Sequence, residues 1–182
     1  LGVIGAIFAN STGAGGGVIF IPMFAQLNFN EQQSIATSFA IQCFGMTAGA
    51  VTWSHHYYSQ KRDLRLWQGF KRIISVTSIS AIIGLTGVFA FQASSPASLH
   101  VSFSWFSLLL GLFIILTVYL LKAHRERSQV YLLDYIALIL IGLFGGSLTA
   151  WLSVGVGELL VIYLILRRFD INMAVAAAVV VS

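Results

Sequence analysis

Long apolar runs separated by short polar stretches set the rhythm of this chain. Residues 1–27 are apolar except around Asn10-Ser11-Thr12 and at Gln26; the turn Asn28-Phe29-Asn30-Glu31 follows, and a second run covers residues 32–53. Further runs occupy residues 73–91, 103–121 and 134–166, and a sixth starts near Asn172. A hydrocarbon core of ~30 Å needs about 20 apolar residues per helix, so the pattern predicts an all-α, polytopic membrane helical bundle. The second run carries small and hydroxylated residues throughout, which pack helices closely in lipid, and it is expected at the bundle centre.

Two of the runs are interrupted. Ser11-Thr12-Gly13-Ala14-Gly15-Gly16-Gly17, closed by Pro22, breaks the first, and Ser153-Val154-Gly155-Val156-Gly157-Glu158 breaks the fifth. Glycine and proline are poor helix formers, and irregular backbone at membrane depth is tolerated only within protein or along a polar cavity. Each break is therefore a candidate substrate site. Sliding the chain by 142 residues brings Gly13 onto Gly155, Gly15 onto Gly157, Ser11 onto Ser153 and Asn30 onto Asn172. This predicts two repeats of about four spans, each with a glycine-broken first helix. Residues 1–133 form the first, and residues 134–182 begin the second. Matched broken helices in two halves point to a transporter binding site.

Charge orients the runs. Only 9% of residues are charged against 58% hydrophobic, where a soluble domain carries roughly 25% charged. The net charge of +4 resides in short clusters: Lys61, Arg62 and Arg65 with Lys71 and Arg72, then Lys122, Arg125 and Arg127. Both belong on the inner side of the membrane, and the linker 92–100, free of lysine and arginine, belongs outside. Nucleic acid is not an expected partner. Arg167 and Arg168 fall outside if the fifth run crosses once; either they are tolerated there or the broken segment re-enters. Cys43, the single cysteine, excludes an internal disulfide or cysteine metal cluster, and its apolar neighbours mark it as core. His55 and His56 are adjacent and share no helix face, so they make a poor metal pair; with Trp53, Tyr57, Tyr58 and Trp67 they suit the interface. No metal or cofactor is expected. Both ends of the sequence lie inside apolar runs, which reads as a piece of a longer membrane protein.

The chemistry expected at the breaks is anion binding. A half-helix that starts after a break presents free N–H groups and the positive end of its dipole. Gly15, Gly16 and Gly17 would admit an oxyanion to the backbone, and Gly13, Gly155 and Gly157 are substrate-binding candidates with them. Asn10, Ser11, Thr12 and Ser153 would add hydrogen bonds, and Thr37, Ser38 and Gln42 would line the path. The competing reading of these glycines is tight helix packing. Glu158, an acid deep inside an apolar run, is the candidate for coupling to a proton or sodium ion; the competing role is a helix cap. No nucleophile–base pair, His-Glu-x-x-His pattern or Lys-Ser/Thr phosphate loop is present, so the protein is not expected to be an enzyme. Transport by alternating access leads, ahead of an anion channel and a membrane-embedded enzyme.

Gly13-Ala14-Gly15-Gly16-Gly17-Val18-Ile19-Phe20-Ile21-Pro22 resembles the glycine-rich signature of the sulfite exporter TauE/SafE family. Ala36-Thr37-Ser38 and the basic stretch Gln60-Lys61-Arg62-Asp63-Leu64-Arg65 are similar to its following segments. The second copy departs from it, with Glu158 after Gly157 and Leu164 in place of the proline. The resemblance implies a permease of the bacterial inner membrane for sulfite, sulfonates or related small anions.

Overall fold

The computed structural model describes residues 2–13, 15–61, 64–93, 98–120 and 127–182. Among them the regular structure is helical: α1 (Gly2–Thr12), α2 (Gly17–Gln26), α3 (Glu31–His56), α4 (Phe70–Ala90), α5 (Leu99–Leu120), α6 (Leu132–Leu152), α7 (Val156–Leu166) and α8 (Ile171–Val181). The expected runs and both breaks are found where the sequence puts them. Arg62, Asp63 and residues 122–126 of the basic loops lie outside the described residues. Among the described residues, three stretches are long and apolar enough to cross a membrane: Glu31–Lys61, Arg65–Ala90 and Leu132–Leu152.

Local chemistry explains the helix starts. Asn30 caps α3, accepting from the Gln33 amide at 2.8 Å, and Gln33 returns the bond to the Asn30 amide at 3.3 Å. Asp170 caps α8 by accepting from the Met173 amide at 2.7 Å. Such caps satisfy donors that a helix start leaves open.

α4 and α6 form a parallel seam. Glycines let the backbones touch: a Cβ at Gly84 would collide with the Leu143 carbonyl, and one at Gly146 with the Ala81 carbonyl. The Ser147 hydroxyl donates to the Gly84 carbonyl at 3.3 Å. At one end of the seam Gly69 lies against Val130; at the other the Trp151 indole donates to the Ala93 carbonyl at 3.0 Å. The clusters around Lys71 and Arg127 therefore share one end of the bundle.

The fifth run reverses. A continuous helix would put Arg167 ~50 Å from Asp134, 33 residues earlier, yet the Arg167 Nε donates to the Asp134 carboxylate at 2.8 Å. The Arg127 amide also donates to the Arg168 carbonyl at 2.7 Å. α6 and α7 thus form an antiparallel hairpin, and Arg167 and Arg168 lie at the same end of the bundle as Lys71 and Arg127. Of the two arrangements open to the sequence, the chain adopts the returning one. The first break bends in the same manner: Phe20 of α2 packs against Gly5 of α1, which a straight helix would hold ~22 Å apart.

The bundle centre differs from the expectation. α8 is the most enclosed small-residue helix, with Ala174, Ala176, Ala177 and Ala178 fully buried. α3 buries only one face, through Ser34, Ser38, Met46 and Gly49, while Ala36, Ala40, Phe44 and Ala48 are exposed. Cys43 is likewise exposed rather than core. Apolar neighbours on a helix in lipid do not imply burial, because the lipid-facing side is apolar as well. Tyr57, Trp67 and Phe70 pack ring on ring at the end that holds Lys71, with His56 edge-on to Trp67.

Candidate functional site

The two breaks meet. α1 ends on Gly13 at φ 75° and α6 on Ser153 at φ 58°, both in the left-handed region that reverses a chain after a helix. The Gly13 amide donates to the Ala9 carbonyl at 2.9 Å and the Ser153 amide to the Thr149 carbonyl at 2.8 Å. Past the breaks, Gly17 rests on Ser153 and Val154, and Gly157 on the Gly13 carbonyl. The packing role of these glycines is therefore present. Gly16 is covered by the Phe20 ring.

Position by position, the two segments correspond at a shift of 140 residues and not 142. Gly13 matches Ser153, Gly15 matches Gly155 and Gly17 matches Gly157. The turns agree as well: Asn28 and Arg168 both have positive φ, and Phe29 and Phe169 donate to the carbonyls of Phe24 and Leu164 at 3.1 and 3.0 Å. The earlier overlay aligned more identical letters at the breaks but put the two caps, Asn30 and Asp170, two residues out of step.

Glu158 sits at the junction. Its Oε1 accepts from the Gly15 amide at 2.6 Å and its Oε2 from the Gly155 amide at 2.8 Å. One carboxylate, 1% exposed, thus joins both breaks. The cap role anticipated for Glu158 is met through Gly155, and the contact with Gly15, 143 residues away, goes beyond it. Beside it the Gln42 amide donates to Ser38 Oγ at 2.9 Å and to Ser153 Oγ at 2.7 Å. Ser153 Oγ donates to Ser38 Oγ at 3.0 Å.

The remaining expected residues divide. Asn10 donates to the Gly45 carbonyl at 3.2 Å and accepts the Trp53 indole on its own carbonyl, so it ties α1 to α3. Ser11 and Thr12 are exposed in the last turn of α1. Thr37 is half-buried and takes no part in the described network around Gln42. The four-residue spacing of Ser38 and Gln42 aligns them on the helix; Thr37, five before Gln42, turns away.

Two contributors have no local signal in the sequence. Thr149 Oγ1 accepts from the Val156 amide at 3.2 Å and so caps α7 from α6. Asp134, 1% exposed, accepts from Arg127, Arg167 and Tyr163 at 2.7, 2.8 and 2.8 Å and from the Tyr131 amide at 2.8 Å. That hydrogen bond holds the Arg167 guanidinium above its ordinary range.

A cavity of about 310 Å³ opens between α3 and α8, with Gln42, Cys43, Thr149, Ser153 and Ser182 in its wall. It shares Gln42, Thr149, Ser153 and Ser182 with a void of about 10 Å³ around Glu158. The junction is thus a closed polar centre beside an open chamber. Comparison with known families identifies the chain: the family model described as "Sulfite exporter TauE/SafE" matches residues 1–182. The chain belongs to the sulfite exporter TauE/SafE family. That is a family of membrane transporters, and this is a membrane protein of that kind. No curated protein and no solved structure matches the chain.

Proposed function

We propose that the protein is a secondary transporter for small anions, sulfite, sulfonates or related organosulfur compounds, in the inner membrane of a bacterial cell. The observation that carries this reading is the convergence of one backbone amide from each break on a single carboxylate, next to a chamber whose wall includes Gln42, Thr149, Ser153 and Ser182. Backbone donors of this kind bind oxyanions without a fixed cation, which suits a substrate that must also leave. Alternating access would move one broken hairpin against the other, in a multi-pass protein of two repeats with about four spans each. Gly13, Gly15, Gly17, Ser38, Gln42, Ser153, Gly155 and Gly157 are the candidate substrate residues, and Glu158 is the candidate for coupling to a proton or sodium gradient.

The test is flux in proteoliposomes of the purified protein, screened over sulfite, thiosulfate, sulfoacetate, sulfate and a carboxylate control. Saturable flux of at least one sulfur oxyanion is expected, with Gly15→Leu inserted in the membrane but inactive. Continuous single-channel currents would replace the carrier with a channel, and normal flux through Gly15→Leu would remove the break from the mechanism.

A further inference from the structure

Building on the anion-transport reading above, we infer that Glu158 is an internal competitor for the substrate, and that the clamp it occupies selects oxyanions presenting two oxygens on one atom. The two donors, Gly15 N and Gly155 N, occupy corresponding places 140 residues apart in the two breaks. They hold the two oxygens of one carboxylate at 2.6 and 2.8 Å. A sulfonate or sulfite offers the same feature, two oxygens on one sulfur, and so does a carboxylate. A halide offers one centre, so both prongs would have to converge on it instead of each meeting its own oxygen. The acid comes from one break only, for the position matching Glu158 in the first break is Val18.

The void around Glu158, about 10 Å³, has about the volume of one water-sized probe. A substrate does not fit beside the carboxylate and has to replace it. The approach is from the 310 Å³ chamber, past Gln42 and Ser153, which line both spaces. Around Glu158 the void is lined from α3 by Gln42, from α6 by Thr149, from the second break by Ser153 and Val154, and from α7 and α8 by Val156 and Ser182. None of these described neighbours is charged, so nothing there balances a second negative group. The exchange therefore runs with charge conserved at the clamp. The substrate anion takes the two amides, and the displaced carboxylate takes up one proton from the bulk buffer by way of the chamber and leaves as the neutral acid.

Calorimetric binding to the purified protein, in two buffers of different ionisation enthalpy at pH 7.5, tests this with methanesulfonate, acetate and chloride as probes. Wild type should take up about one proton per methanesulfonate bound, by linkage. Acetate should compete and chloride should not. Glu158→Gln and Glu158→Ala should bind methanesulfonate about tenfold tighter or more, a gain of about 1.4 kcal/mol or above, without proton uptake. Wild-type binding with no proton uptake, chloride competing as well as acetate, or folded variants that bind no tighter would each overturn the competitor role and leave anion transport standing. A wild type that neither binds nor moves any of these anions would overturn both. The wild-type measurements decide the question even where a variant fails to fold.

Discussion

A Cβ at Gly17 would stand 2.5 Å from both the Ser153 carbonyl oxygen and Val154 Cγ1, and a backbone carbonyl cannot swing aside as a side-chain tip can. Gly17→Ala should therefore force the two breaks apart, at about 1–3 kcal/mol by overpacking, seen as a lower melting temperature in detergent. Gly87→Ala is the matched control: a Cβ there meets nothing within 4 Å, and the helix should gain up to about 1 kcal/mol. An unchanged melt for Gly17→Ala would mean that the breaks do not depend on that contact. At this scale the sequence was legible in part. Glycines at 13, 15, 17, 155 and 157 announced irregular backbone, and Ser38 and Gln42 announced a shared face. That Gly15 serves a carboxylate from the far end of the chain was hidden, since no local rule links residues 143 positions apart.

The hairpin of α6 and α7 is pinned at its base by Asp134. Its carboxylate is buried and accepts from two guanidiniums on different segments, so losing its charge leaves Arg127 and Arg167 without their anion. Removing one member of a buried ion pair costs about 3–5 kcal/mol, and Asp134→Asn should approach that figure. Because Arg167 is 39% exposed and Arg127 21%, solvent reduces the loss, and about 3 kcal/mol is expected from chemical denaturation. A shift below about 1 kcal/mol, the range of surface pairs, would deny Asp134 the pinning role. Helix starts were readable from Asn30 and Asp170, because caps are local. The reversal of α7 was not. Hydropathy gives the length of an apolar run without its direction, and only the misplaced charges of Arg167 and Arg168 hinted at a return.

Across the whole molecule, the described basic residues gather at one end and the 92–93 turn lies at the other. In a Cys43→Ser background, Gln129→Cys and Arg168→Cys should react with a membrane-impermeant thiol reagent from one side, and Gln92→Cys from the opposite side. Labelling of Arg168→Cys together with Gln92→Cys would undo the hairpin. The clustering of lysine and arginine made it legible which loops share an end. The central position of α8 was not, because in lipid an apolar helix face looks the same whether it meets protein or hydrocarbon.

The single carboxylate at the junction carries one further consequence. Two identical half-chains related by a two-fold axis would bring either no acid or two to the shared clamp, since whatever stood at the Val18 position would stand at the Glu158 position as well. Two carboxylates in a void of about 10 Å³ would repel too strongly for both to ionise. One acid at the clamp is open to a chain that carries both breaks in a single sequence, and here Val18 stands in the first break where Glu158 stands in the second.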